Sequence, residues 1–297
     1  MRNAKYVLGP IRPPFLVLAP ACVLVGIGAA LRTSGKVNTL EVVLVLLGGV
    51  AAHISVNAFN EYCDFRSGLD ARTLRTPFSG GSGTLPAKPE MAGSALLVAG
   101  LTLAVTAAIG MYFALIRGFA LLPVGLLGLL VIVAYTPWLT RHPVLCLLAP
   151  GVGFGPLMVL GTQFALTGEY SWTAFAASLV PFFLVSNLLL LNQFPDAEAD
   201  RSVGRRHVPI VMGLRGSSLI YGLFLLLTYL AILGGVAWGY LPKACLLGLT
   251  TLGIALPAAV GAFRYAENIE KLRLYLALNV LLTLATPVLV AVGLFIG

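Results

Sequence analysis

The sequence predicts an all-α, polytopic membrane protein, a bundle of nine transmembrane helices forming a single domain over residues 1–297. Three observations carry this. Of the residues, 59% are hydrophobic and 10% charged, against ~45–50% and ~25% in soluble domains. The mean hydropathy of +0.95 excludes soluble enzymes and nucleic-acid binders. The apolar residues also gather into runs near the ~20 residues that a membrane helix needs. Backbone polar groups in lipid must be satisfied within the protein, which excludes open sheets, and the runs are too continuous for alternating barrel strands.

In chain order the runs are 15–32, 38–62, 91–115, 118–138, 143–167, 172–194, 217–238, 242–264 and 274–296. The first follows a basic leader and counts as a span, because Pro20 fits poorly beside a cleavage site at Cys22. The second carries His53, expected to be a hydrogen-bonded packing residue, and ends in NAFNEYCDFRSGLD, with Gly68 stopping the helix. The fourth ends near Tyr135 and Arg141, and the fifth contains Gly151, Gly153 and Gly155, small residues expected to leave room for a ligand. The sixth ends in NQFPDAEADRSVGRR, and the basic cluster at 264–273 anchors the last two spans. Gly and Pro inside these runs are tolerated, since neighbouring helices re-satisfy freed backbone groups. Cys22, Cys63, Cys146 and Cys245 form no CxxC and read as small apolar or span-end residues.

The basic pI of about 9.5 reflects membrane topology rather than nucleic acid. With the N-terminus inside, 15 of the 19 lysines and arginines, among them Arg2, Lys5 and Arg12, fall on the inner side. The positive-inside bias therefore places the N-terminus in the cytoplasm and the C-terminus outside. The long inner loops, 63–90 and 195–216, hold most of the acidic residues.

Those acids form two clusters. Asn192, Asp196 and Asp200 lie at i, i+4 and i+8, along one helix face where Pro195 permits. Asn60 and Asp64 repeat the Asn-x3-Asp spacing four spans earlier, and Asp70 follows from the loop. Facing carboxylates repel in a low-dielectric site unless a cation intervenes. Carboxylate and amide oxygens suit Mg²⁺, which shares its shell between a few carboxylates and substrate phosphates. Arg72, Arg75, Arg205 and Arg206 are candidate clamps for a diphosphate. The Gly/Ser-rich loop 75–86 lacks a P-loop pattern and reads as a connector or a lid over that group.

The pattern NxxNExxDxxxxxD after the second run, and NxxxDxxxD after the sixth, resembles the two Asp-rich motifs of the UbiA superfamily of membrane prenyltransferases. The resemblance covers essentially the whole chain. It implies that Asn60, Asp64 and Asp70, with Asn192, Asp196 and Asp200, bind an isoprenyl diphosphate through Mg²⁺. Glu61 stands where the family usually has Asp and is a further candidate ligand. The resemblance also implies that Tyr135, with Arg141 beyond it, lies near the reacting isoprenoid. The stretch FGPLMVLGTQFALTG and the wide Asp64-x5-Asp70 spacing resemble the naphthoate prenyltransferases of menaquinone synthesis, although the acidic residue often found early in their fifth span is missing.

The implied activity is Mg²⁺-dependent transfer of a polyprenyl chain to an aromatic acceptor, a dihydroxynaphthoate, on the cytoplasmic side of the cell membrane. The expected partners are the isoprenyl diphosphate, the acceptor and the bilayer, with no nucleic acid. Alternative acceptors are 4-hydroxybenzoate, a tetrapyrrole or a glycerol-phosphate lipid. Asp64 and Asp70 are candidates for the general base. A CDP-alcohol transferase is disfavoured because DGxxAR is absent, and a transporter because the acids sit at one face rather than at mid-membrane.

Overall fold

Apolar side chains gain nothing by moving from lipid to a neighbouring helix, so close fit decides how such helices assemble. The computed structural model describes residues 8–73 and 75–297. Arg2 and Lys5, counted above among the inner charges, lie outside the described residues. Each of the nine expected runs contains helix: α1 Leu18–Ser34, α2 Thr39–Arg66, α3 Pro89–Arg117, α4 Phe119–Ala134, α5 Pro143–Thr167, α6 Trp172–Asn192, α7 Val208–Ala237, α8 Lys243–Arg264 and α9 Ile269–Ile296. Among the described residues, seven of these are long and apolar enough to cross a membrane; α1 qualifies as an eighth when joined to Gly9–Phe15 across a 54° bend. α4 is shorter than expected. Pro137 has no N–H to continue the ladder and disfavours helix at the residue before it.

Small residues set the packing. α1 runs between α5 and α9: a Cβ on Gly26 would meet the Thr162 side chain at 2.6 Å, and one on Gly28 would meet Leu294 at 2.8 Å. Of the seven long apolar helices α6 is the most enclosed, with 72% of its apolar stretch buried, whereas α3 has 11% and faces outward. Buried polar side chains join the helices. Asn187 on α6 donates to the Tyr221 carbonyl on α7 (2.9 Å), and the Tyr221 hydroxyl donates to Asn279 on α9 (3.1 Å). Gln163 donates to Ser171 (2.7 Å) and Thr33 (3.2 Å). Asn187 and Gln163 are thus helix-joining residues.

Two expectations change. The inner segment 195–216 is largely helical: a short helix spans Ala197–Ser202, and α7 starts at Val208, with a break at Gly213. The glycines of α5 also divide. A Cβ on Gly151 would strike the Phe182 carbonyl at 2.2 Å, and one on Gly155 the Ser178 carbonyl at 2.7 Å. These two are needed for close packing on α6 and leave no room for a ligand; Gly153 alone of the three faces open space. It opens a π-helical turn, Gly153–Leu157, that interrupts α5.

Candidate active site

A carboxylate at a membrane edge stays charged only if water, a cation or donors surround it. Both acidic motifs converge on one cavity of about 600 Å³, lined by Asn60, Asp64, Asp70, Asn192, Asp196 and Asp200. Its deeper walls are apolar, with Val45, Ile109, Phe113, Leu121 and Val124 among them.

The first motif is delivered by α2, which carries Asn60 and Asp64 on one face to its end at Arg66. Gly68, in the left-handed region at φ 74°, then reverses the chain, so that the turn Leu69–Ala71 presents Asp70 to the cavity. The second motif is not one continuous face. α6 ends at Asn192, and Asp196 begins the short helix Ala197–Ser202 that carries Asp200. Pro195 lies in the intervening turn.

Arg205 joins the motifs. It pairs with Asp64 and with Asp200 Oδ1 (2.8 Å). Burial works against its charge, but the Asp64 and Asp200 carboxylates hold its pKa above the ordinary arginine value. Asp200 Oδ2 also lies 2.7 Å from His207 Nε2, in a histidine only 1% exposed. Among the described residues, the other two carboxylates, Asp70 and Asp196, have no cationic partner in contact. Burial pushes Asp70 up to about 7, aided by Glu61 and Asp64. Burial and then Asp200 raise Asp196 to about 7, against a hydrogen bond from the Gly80 N–H (3.1 Å).

Glu61, expected as a ligand, is not among the residues lining the cavity and is held by hydrogen bonds. Arg12 Nε donates to its Oε1 (2.8 Å), as does the Ser82 N–H (2.7 Å), while the Ser82 hydroxyl donates to Oε2 (2.8 Å). Arg12 also donates to Asn60 Oδ1 (3.0 Å). Both Glu61 oxygens are therefore committed, and they strap the segment before α1 and the 75–86 loop onto α2. Gly81 passes so close that a Cβ there would meet Asp70 Oδ1 at 2.9 Å and Glu61 Oε1 at 3.2 Å; its φ of 70° also disfavours other residues. The loop is a built wall of the site.

Of the expected arginine clamps, Arg205 alone lines the cavity. Arg72 is exposed and donates to Ser202; Arg75 is exposed beside Gly83; Arg141 and Arg206 are exposed. Tyr135 does line the cavity, its hydroxyl 4.0 Å from Cys146 Sγ. The sequence reading missed Arg12, Gln193 and His207 as lining residues. Nothing local marks Arg12 apart from other inner basic residues. Among the described residues its positive φ of 53° is the sole case outside glycine, and that is visible only in three dimensions.

Three lining oxygens are buried without a partner among the described residues: Asp70 Oδ2, Asn192 Oδ1 and Asp196 Oδ1. They are hard, and two belong to carboxylates held near 7, the arrangement a hard divalent cation relieves. Among the described residues no three His, Cys, Asp or Glu converge to hold an ion alone. This suits a cation that takes one or two protein oxygens and completes its shell from water and phosphate.

Fold and site together define a polytopic membrane protein with an acid-lined, cation-suited pocket above an apolar cavity. The sequence matches the UbiA prenyltransferase family over residues 19–293, and the chain belongs to that family. It is 27% identical over 207 residues to the 1,4-dihydroxy-2-naphthoate octaprenyltransferase of Bacillus subtilis, covering 69% of this chain and 65% of that protein. It is 31% identical over 223 residues to the protoheme IX farnesyltransferase of Gloeobacter violaceus, covering 72% and 69%. A UbiA homologue from Aeropyrum pernix has the same fold, with a TM-score of 0.72 at 20% identity over 94% of this chain and 96% of that one. A UbiA homologue from Archaeoglobus fulgidus, solved bound to DMAPP and Mg²⁺, superposes with a TM-score of 0.58 at 16% identity over 98% and 99%.

Proposed function

We propose that this chain transfers a polyprenyl group from an isoprenyl diphosphate to an aromatic acceptor, with Mg²⁺ held at the free oxygens of Asp70, Asn192 and Asp196, while Asn60, Asp64 and Asp200 complete the two motifs around it. The observation that carries this reading is the convergence of both motifs on the mouth of one cavity whose depth is apolar. Held by these residues, Mg²⁺ would supply positive charge that stabilises the diphosphate as it leaves. Arg205 keeps the two motifs at a fixed separation. The Glu61 strap holds the 75–86 loop over the mouth and limits water, which would otherwise capture an allylic cation. Tyr135 presents an aromatic ring to that cation. The carbon–oxygen bond breaks first, its electron pair leaving with diphosphate, and the acceptor ring then forms the new carbon–carbon bond to the allylic cation. The displaced ring proton, or carbon dioxide from a carboxynaphthoate, then leaves.

A dihydroxynaphthoate is the acceptor we favour, in menaquinone synthesis, from the FGPLMVLGTQFALTG stretch and the likeness to the Bacillus subtilis enzyme. The 31% identity to a protoheme IX farnesyltransferase supports a tetrapyrrole as the second reading. We further propose that α1 to α9 all span the cell membrane with both motifs cytoplasmic, from the 15-to-4 charge bias.

The test incubates purified protein in lipid with isoprenyl diphosphates of several lengths against naphthoate, hydroxybenzoate and tetrapyrrole acceptors. Prenylated naphthoate and released pyrophosphate, both abolished by chelator, are expected. Product with the tetrapyrrole alone would move the chain to the second reading, and no product would reject prenyl transfer. A reporter fused after Gly297 should read outside the cell; a cytoplasmic signal would overturn the orientation.

A further inference from the structure

The turn that joins α8 to α9 carries charges that prenyl transfer does not use. Residues 264–273 hold three cations, Arg264, Lys271 and Arg273, against two acids, Glu267 and Glu270. None of the five lines the cavity of the acidic motifs. Glu267 is taken up by Arg215 on α7 (3.4 Å). Arg264 and Lys271 turn to an aromatic ring instead. The guanidinium Cζ lies 5.6 Å and the ammonium Nζ 5.5 Å from the centroid of Tyr265. Among the described residues neither cation is in an ion pair with a carboxylate.

The ring that collects them is a fixed platform. Tyr265 is half-buried and stacks on Tyr275 of α9, with centroids 5.6 Å apart and planes at 16°. Tyr275 in turn lies so close to Gly261 of α8 that no Cβ would fit there. A cation gains from an aromatic face, but a neutral ring does not cancel the charge of two. Like charges gathered on one ring repel, and an anion between them removes the repulsion.

The surface next to this pair is apolar. Arg264 is the last residue of α8, one of the helices long and apolar enough to cross a membrane. Leu256, Val260 and Phe263 lie at i, i+4 and i+7 on α8, along one helix face, and all three are exposed. In a bilayer this face meets acyl chains, and the residues at the helix end meet headgroups. Basic groups at that depth attract lipid phosphates. A choline or ethanolamine headgroup would bring a third cation to the pair, whereas an anionic headgroup would not. A free phosphate would match the charge but leave the apolar track unused. We propose that Arg264 and Lys271, held on Tyr265, bind the phosphate of an anionic bilayer phospholipid whose chains lie along Leu256, Val260 and Phe263.

The test uses the purified full chain in neutral detergent. Phosphatidylglycerol or phosphatidylcholine is added, retained lipids are counted by native mass spectrometry, and thermal unfolding is followed alongside. Wild type should retain phosphatidylglycerol over phosphatidylcholine by at least about tenfold and melt higher in its presence. The double variant Arg264→Gln/Lys271→Gln should lose both the preference and the added stability. Arg72→Gln/Arg141→Gln removes the same charge from exposed arginines elsewhere and should keep both. Inorganic phosphate should not reproduce the stabilisation. Absence of the preference in wild type would overturn the proposal whether or not the variants fold. Equal losses in the two double variants would reduce the effect to overall charge, and equal stabilisation by phosphate would replace the lipid site with one for a free anion; either result overturns it.

Discussion

The two acidic motifs share Asn-x3-Asp, yet they stand on different supports. In the first, Asn60 and Asp64 ride one unbroken helix, and Glu61 between them ties down the strap from Arg12 and Ser82. In the second, the helix stops at Asn192, and Gln193 occupies the position equivalent to Glu61, donating to Cys146 Sγ (3.3 Å) rather than holding a loop. The electrostatics nevertheless converge. Each motif gives one carboxylate to Arg205, Asp64 in the first and Asp200 in the second, and each leaves one raised to about 7, Asp70 and Asp196. The paired carboxylates hold the frame, and the unpaired ones are the sites a cation relieves. Matching letters do not give matching geometry; the shared feature is one Arg205-paired and one unpaired acid per motif.

The largest expected effect breaks the frame. Arg205→Gln leaves Asp64 and Asp200 facing each other without a cation, and removing one member of a buried ion pair costs about 3–5 kcal/mol. Thermal unfolding in detergent should fall clearly below wild type. An unchanged melting temperature would show that Arg205 is not the joint between the motifs.

Next come the unpaired acids. Asp70→Asn and Asp196→Asn should each lower turnover at least about a hundredfold, roughly 2.7 kcal/mol of transition-state stabilisation, without loss of membrane expression. Their effect on stability should run the other way. Both native carboxyls titrate near 7, against ~3.9 for an unfolded aspartate. Between about pH 4 and 7 the folded metal-free protein therefore binds more protons than the unfolded chain, and its stability falls as pH rises through that window. Either variant should flatten the fall when melting is followed across those pH values in chelator. A metal-free wild type whose stability rises with pH there would remove the distinction between paired and unpaired acids.

The smallest effect separates the motifs. Glu61→Gln keeps the shape but weakens charge-assisted bonds to Arg12 and Ser82, at a cost of about 1–3 kcal/mol. Limited proteolysis should then cut the 75–86 loop faster, while Gln193→Ala, the matching change in the second motif, leaves cleavage unchanged. Equal cleavage in both would mean that the strap is not specific to the first motif.

How much of this was legible in the sequence differs between residues of the same type. Asn60, Asp64, Asp70, Asn192, Asp196 and Asp200 were readable because acids at the ends of apolar runs have few other reasons to recur at matched spacing, and all six line the cavity. Arg72, Arg75, Arg141 and Arg206 were equally conspicuous but lie exposed. Arg205 faces inward because the turn after Ala197–Ser202 aims it between the two motifs. Arg12 was indistinguishable from a positive-inside anchor until the segment before α1 folded over α2.

The sequence by itself determined the helical membrane class, the order of the apolar segments and the identity of the acidic motifs. These depend on composition and on spacing along the chain, which hydropathy and backbone geometry read locally. Only the tertiary structure decided which faces meet. In lipid both sides of a helix are apolar, so the pattern of a span carries little information about its rotation, and close contacts between small residues decide it. That is why Gly151 and Gly155 proved to be contacts with α6 while Gly153 opened onto the cavity. For the same reason only the folded chain shows Glu61 tied to Arg12 and Ser82, and His53 brought against Phe154.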